Sequence, residues 1–121
     1  MGKRIFLLED DQAIREIIEI ILENEDYEVL GFENVKALMT KDFSSPPDLF
    51  LLDVMLPDGS GIEVCSQLKA LETTSKVPVL MMSAHATLKS IDKGCNSDGF
   101  LPKPFDINQL VSFVQYQIGA A

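Results

Sequence analysis

Four apolar runs in this sequence each end in polar residues of types that suit phosphoryl or metal chemistry. Ile5-Phe6-Leu7-Leu8 runs into Glu9-Asp10-Asp11, and Leu49-Phe50-Leu51-Leu52 runs into Asp53. The stretch Val77 to Met82 stops at Ser83-Ala84-His85, and Gly99-Phe100-Leu101 ends at Pro102-Lys103-Pro104. Three or more carboxylates held close together cannot all stay ionised without a counter-charge. A divalent cation supplies one, and oxygen donors without His or Cys favour magnesium. Lys103 adds a fixed positive charge and Ser83 a hydroxyl donor. A cation, an ammonium and a hydroxyl are together what the equatorial oxygens of a transferring phosphoryl group require. Asp53 is then free to act as a nucleophile and form an acyl phosphate.

The elements that must position these groups follow from periodicity. Ile5 to Leu8 reads as a strand covered on both faces and Leu49 to Leu52 as a buried strand, since neither shows the alternation of half-exposed strands. Val77 to Met82 reads as a strand that tolerates Pro78 at its start, and Gly99-Phe100-Leu101 as a brief strand. Asp53 is expected where its strand leaves the core, half covered and half open. Ile14, Ile17, Ile18, Ile21 and Leu22 recur at helical spacing and predict a helix over about residues 12–24, capped by Asp11. Tyr27 to Phe32 alternates and reads as an edge strand. Asn34 is expected to cap a short helix turning Val35, Leu38 and Met39 inward, and Pro46-Pro47 closes the loop after it. Pro57-Asp58-Gly59 makes a turn. Ser60 and Glu63 fit a capping box for a helix with Val64, Cys65, Leu68 and Leu71 on its buried stripe. Residues 87–95 give a weaker helix, and Asp106 with Gln109 caps a last one bearing Ile107, Leu110, Val111, Val114 and Ile118.

Strand and helix thus alternate five times, which implies a doubly wound parallel α/β sheet with helices on both faces. In such a sheet the carboxyl ends of the strands share one edge, where ligands bind. The fold therefore gathers positions 10, 53, 83 and 103 into one pocket.

Composition narrows the partners. The chain has 121 residues, 46% of them hydrophobic and 24% charged, which suits one globular domain over residues 1–121. Its net charge of −9 argues against direct binding of nucleic acid. Cys65 and Cys95 make no ligand spacing and are expected to be reduced structural thiols. No apolar run reaches membrane-spanning length and no signal-peptide core follows Met1, so no membrane association and a cytoplasmic location are expected.

These residues resemble the receiver domain of bacterial two-component response regulators, over essentially the whole chain. The resemblance rests on Leu7-Leu8-Glu9-Asp10-Asp11, on Leu52-Asp53-Val54-Met55-Leu56-Pro57 with Gly59 and Gly61, on Ser83-Ala84, and on Leu101-Pro102-Lys103-Pro104-Phe105. It implies a flavodoxin-like (βα)5 fold with strand order 2-1-3-4-5. It further implies that Asp53 is the phosphoacceptor for a histidine kinase or phosphotransfer protein. Asp10, Asp53 and the backbone carbonyl of Met55 would bind Mg²⁺, with Glu9 in the outer shell. Ser83 would be the switch hydroxyl, Lys103 the ion-pair partner of the phosphoryl group, and Phe100 the aromatic that changes rotamer on activation. A cis Lys103-Pro104 peptide is also implied. The face of the fourth and fifth strands and helices would switch, and the fourth helix, fifth strand and fifth helix would offer a homodimer surface.

Two departures and several rivals accompany this reading. The interval from Ser83 to Lys103 is slightly short for a receiver, and Asn96 takes a place where a left-handed conformation is expected. His85, the only histidine, reads as a loop residue and not as a phosphoryl carrier. A haloacid-dehalogenase-type phosphatase would need a second Asp two residues after Asp53, where this chain has Met55. A flavodoxin-like FMN carrier would need a Ser/Thr/Gly-rich phosphate loop where Glu9-Asp10-Asp11 stands. A receiver cut from a longer regulator is the third rival, alongside a stand-alone regulator.

Overall fold

The apolar runs form the sheet. A computed structural model describes residues 2–84 and 95–119. In order they are β1 (Arg4–Leu8), α1 (Gln12–Glu23), β2 (Glu28–Phe32), α2 (Val35–Met39), β3 (Leu49–Asp53), β4 (Met55–Leu56), β5 (Gly59–Ser60), α3 (Gly61–Ala70), β6 (Val79–Ser83), β7 (Gly99–Pro102) and α4 (Ile107–Ile118). Five strands make one sheet in the order β2-β1-β3-β6-β7, every pairing parallel. With the two-residue antiparallel pair β4–β5 set aside, this is the expected 2-1-3-4-5 order. That small pair was not anticipated; it braces the turn at Pro57-Asp58 by pairing Met55 with Ser60.

Successive strand residues point to opposite faces, so each run feeds two cores. Phe6, Leu8, Phe50, Leu52, Val79 and Met81 pack with Leu38 of α2 and Val64, Cys65 and Leu68 of α3. Ile5, Leu7, Leu49, Leu51, Leu80 and Met82 pack on the other face with Ile18 and Leu22 of α1 and Leu110 and Val114 of α4. Phe6 anchors the first core by edge-to-face contact with Phe32 and Phe50, at centroid distances of 5.4 and 5.9 Å. Truncating such a ring to Ala costs about 3–5 kcal/mol.

Helix starts follow their caps. The side chain of Asp11 accepts from the Ile14 amide, Asn34 from Ala37, and Asp106 from Gln109, whose own side chain answers the Asp106 amide. Ser60 caps α3 through the Ile62 amide, one residue earlier than the box with Glu63 requires. Leu71 is exposed and not part of the buried stripe, because the chain leaves the helix there in an extended conformation. Pro78 falls just before β6, not within it. The helix expected at 87–95 lies outside the described residues except for Cys95, and His85 lies outside them too. Among the described non-glycine residues only Asp26 has a positive φ, 68°, so Asn96 is not left-handed. Asp26 instead reverses the chain between α1 and β2. The Lys103-Pro104 peptide is cis, as expected.

Candidate functional site

Register brings the polar strand ends together. Leu8 pairs with Leu52, so Glu9 and Asp53 follow side by side, and Asp53 pairs with Met82, one residue before Ser83. Ser83 pairs with Pro102, and the Lys103 amide donates to the Ser83 carbonyl at 2.9 Å. Glu9, Asp53 and Lys103 continue the parity of Leu7, Leu51 and Leu101, all packed with α1 and α4. These side chains, with Asp10, Asp11, Ile14, Met55, Ser83 and Ala84, line a cleft of about 370 Å³ at the carboxyl edge of the sheet.

Lys103 is the hub of the cleft. Its Nζ lies 2.5 Å from Oε1 of Glu9 and 3.2 Å from Oδ2 of Asp53. Burial alone would lower the ammonium's pKa, but the hydrogen bond to Glu9 and the charges of Asp53 and Glu9 carry it above its usual value. Burial pushes the Glu9 carboxyl upward, more than Lys103 and the Asp11 amide pull it down. Asp53 is only 6% exposed, more covered than a strand exit suggested, with Lys103 drawn against its carboxylate. The start of α3 packs against its main chain. Gly61 donates to the Val54 carbonyl at 2.8 Å, and a Cβ on Gly61 would collide with the Asp53 carbonyl oxygen. Only glycine fits there.

Glu9 is clamped at every polar atom. Its amide donates to the Phe32 carbonyl at 3.0 Å, and its Oε2 accepts from the Asp11 amide at 3.1 Å. Its carbonyl accepts from the Arg15 guanidinium at 2.9 Å. Arg15 escaped the sequence reading, although it is the only cation within α1. Asp58 does more than turn the chain: its two carboxylate oxygens accept from the Val35 and Lys36 amides at 2.8 and 3.1 Å. Those two bonds hold its pKa below the usual carboxylate range and tie the turn after Asp53 to α2.

Glu9, Asp10 and Asp53 each offer an oxygen, and these atoms lie within 4.8 Å of one another. Asp10 is exposed at the mouth while Glu9 and Asp53 are buried. An all-oxygen set of this kind fits a hard divalent cation. Met55 stands at the rim, 58% exposed. Ser83 is buried at the far wall. Phe100 is half-buried, pairs with Met81, and packs on the core shared with α2 and α3.

An open parallel sheet with carboxylates, a lysine and a hydroxyl at its carboxyl edge defines a flavodoxin-like α/β domain with a cleft suited to a cation. Residues 5–115 match the family model of the response regulator receiver domain, and the chain belongs to that family, the receivers of two-component signalling. It is 37% identical over 114 residues to the phosphate regulon transcriptional regulatory protein PhoB of Pseudomonas aeruginosa, covering 93% of this chain and 50% of that one. To PhoB of Escherichia coli K12 it is 32% identical over 117 residues, covering 95% and 51%. The chain spans about half the length of these relatives. The non-phosphorylated HemR receiver domain of Leptospira biflexa superposes with a TM-score of 0.89 at 26% identity, covering 99% of this chain and 97% of that one. The receiver domain of sensor histidine kinase PA1611 from Pseudomonas aeruginosa has a magnesium ion coordinated in its active-site cleft. It superposes with a TM-score of 0.87 at 26% identity, covering 99% and 100%.

Proposed function

We propose that residues 1–121 form one receiver whose Asp53 accepts a phosphoryl group from the phosphohistidine of a histidine kinase or phosphotransfer protein. One observation carries this reading: a buried carboxylate, Asp53, faces a lysine at 3.2 Å and shares a 4.8 Å oxygen cluster with Glu9 and Asp10. Asp10, Asp53 and the Met55 carbonyl would hold Mg²⁺, with Glu9 steering its water from the outer shell. The bound ion would neutralise charge on the non-transferring phosphoryl oxygens. An Asp53 oxygen attacks phosphorus, the P–N bond of the phosphohistidine breaks, and the electron pair leaves on the imidazole. Lys103 then pairs with the new phosphoryl group, and Ser83 donates its hydroxyl to it. Phe100 turns inward beside Ser83, biasing a two-state equilibrium toward the active face of β6, β7 and α4. The exposed Met55 screens the acyl phosphate from attacking water.

In this reading the chain is a switch and not an enzyme acting on other substrates. It works in the cytoplasm without binding nucleic acid itself, and pairs with a second copy through the face of β7 and α4. No helix among the described residues is long and apolar enough to cross a membrane. The two rival chemistries find no support, since Met55 and Glu9-Asp10-Asp11 occupy the positions each would need. Acetyl phosphate and Mg²⁺ should add the mass of one phosphoryl group to the protein. Equal incorporation by Asp53→Asn would sink the assignment.

A further inference from the structure

We propose that Cys65 and Cys95 are a redox modification site, a cross-link between α3 and the approach to β7 that sets how readily the receiver takes up a phosphoryl group. The second half of this proposal rests on the phosphoacceptor reading of Asp53. Sequence spacing suggested two independent reduced thiols. The fold instead brings them together in the core with their Cα atoms 5.9 Å apart, a separation that a disulfide spans, and the structure joins them. Cys65 is fully buried and Cys95 is 7% exposed.

The placement of the cross-link gives it leverage on the cleft. Cys65 lies in the first turns of α3, the helix whose start packs against the main chain of Asp53. Cys95 precedes Gly99, where β7 begins on its way to Phe100 and Lys103. The loop closed by the bond contains Ser83. A second tie runs along the same seam: Lys69 meets Asp98 at 2.8 Å, and the same Asp98 oxygen accepts from the Val79 amide at 2.8 Å. That tie holds Asp98 whatever the redox state. The cross-link therefore acts on residues 95–97, which lead from Cys95 to Asp98 and on into β7 and Phe100. Bonded, it holds the arrangement seen here, with Phe100 half-buried.

Oxidised glutathione balances the chemistry. The Cys95 thiolate, on the less buried sulfur, attacks one sulfur of glutathione disulfide and releases one glutathione. The Cys65 thiolate then attacks the Cys95 sulfur of the mixed disulfide, forms the Cys65–Cys95 bond and releases the second. Two thiol protons pass to solvent or to the departing thiolates, and two electrons pass to glutathione.

The full chain would be equilibrated in buffers of varied reduced-to-oxidised glutathione ratio, and its thiols counted by alkylation and intact mass. Phosphorylation by acetyl phosphate with Mg²⁺ would then be timed in each form. The bridged form should phosphorylate at least about fivefold more slowly than the reduced form, the lower end of ordinary coupling between sites. Cys65→Ser and Cys95→Ser should show one rate at every ratio, with Cys65→Ala as the alternative if a serine is not tolerated in the core. Thiols that stay alkylatable at every ratio, or equal rates in the two forms, overturn the proposal. If neither form takes up phosphoryl, the reading of Asp53 fails. The cross-link is then judged on hydrogen exchange of the amides from Cys95 to Phe100, which must slow at least about fivefold when bridged.

Discussion

Replacing Lys103 by Met keeps the length of the side chain and removes its charge. In the wild type its ammonium sits between Glu9 at 2.5 Å and Asp53 at 3.2 Å, both carboxylates buried. Without it two acids face each other with oxygens no more than 4.8 Å apart. At an effective dielectric constant of about 20, unit charges at that separation repel by about 3.5 kcal/mol. Breaking a buried ion pair by removing one partner costs a similar amount, about 3–5 kcal/mol. Protonation of Glu9, whose pKa burial already raises, caps the loss, so about 2–3 kcal/mol is expected at pH 7. For a domain of this size that lowers Tm by about 8–12 °C. The sign follows from linkage. An acid whose folded pKa is raised above its unfolded value costs nothing below the unfolded value, about 4.3 for Glu, and its penalty grows as pH rises through the folded pKa. The gap between wild type and Lys103→Met should therefore open from about pH 4 toward pH 7. Millimolar Mg²⁺ should narrow it, because a bound divalent ion replaces the lost charge. Calorimetric melts across that range, with and without Mg²⁺, decide the matter. A gap independent of pH, or a loss below about 1 kcal/mol at neutral pH, would refute the charge-hub account.

Arg15→Ala should weaken Mg²⁺ binding severalfold by calorimetry and cost about 1 kcal/mol of stability, since it frees the Glu9 carbonyl of a charge-assisted bond. Arg15→Lys should recover part of the affinity; a stability loss with unchanged Mg²⁺ affinity would show that Arg15 only supports the helix. Gly61→Ala should lower Tm by about 4–12 °C and slow phosphorylation, because overpacking of about 1–3 kcal/mol is forced against the Asp53 carbonyl; an unshifted melt would mean that the backbone yields freely. Asp58→Ala should lose the stability that its two amide bonds give. Because the Asp58 pKa is depressed, that difference is full above about pH 4 and vanishes as pH falls through the folded pKa. A difference that persists in strong acid would point to lost packing instead.

Local pattern was enough for the sheet, most helix starts and the membership of the cleft. Both faces of a parallel strand are covered, so Leu49 to Leu52 and Ile5 to Leu8 read as unbroken apolar runs, and their ends lie along one edge. Caps such as Asp11, Asn34 and Asp106 act within three residues and are equally legible. Pairings between distant side chains are not, because they depend on register and on how elements pack. Glu9 bonds a lysine 94 positions away, and nothing in Glu9-Asp10-Asp11 says which acid turns inward. The meeting of Cys65 with Cys95 depends on α3 packing beside the approach to β7, not on their spacing in the chain. Sequence named Asp53 as the residue at the strand's end; tertiary packing buried it, beside a lysine 50 positions away whose charge balances the carboxylate.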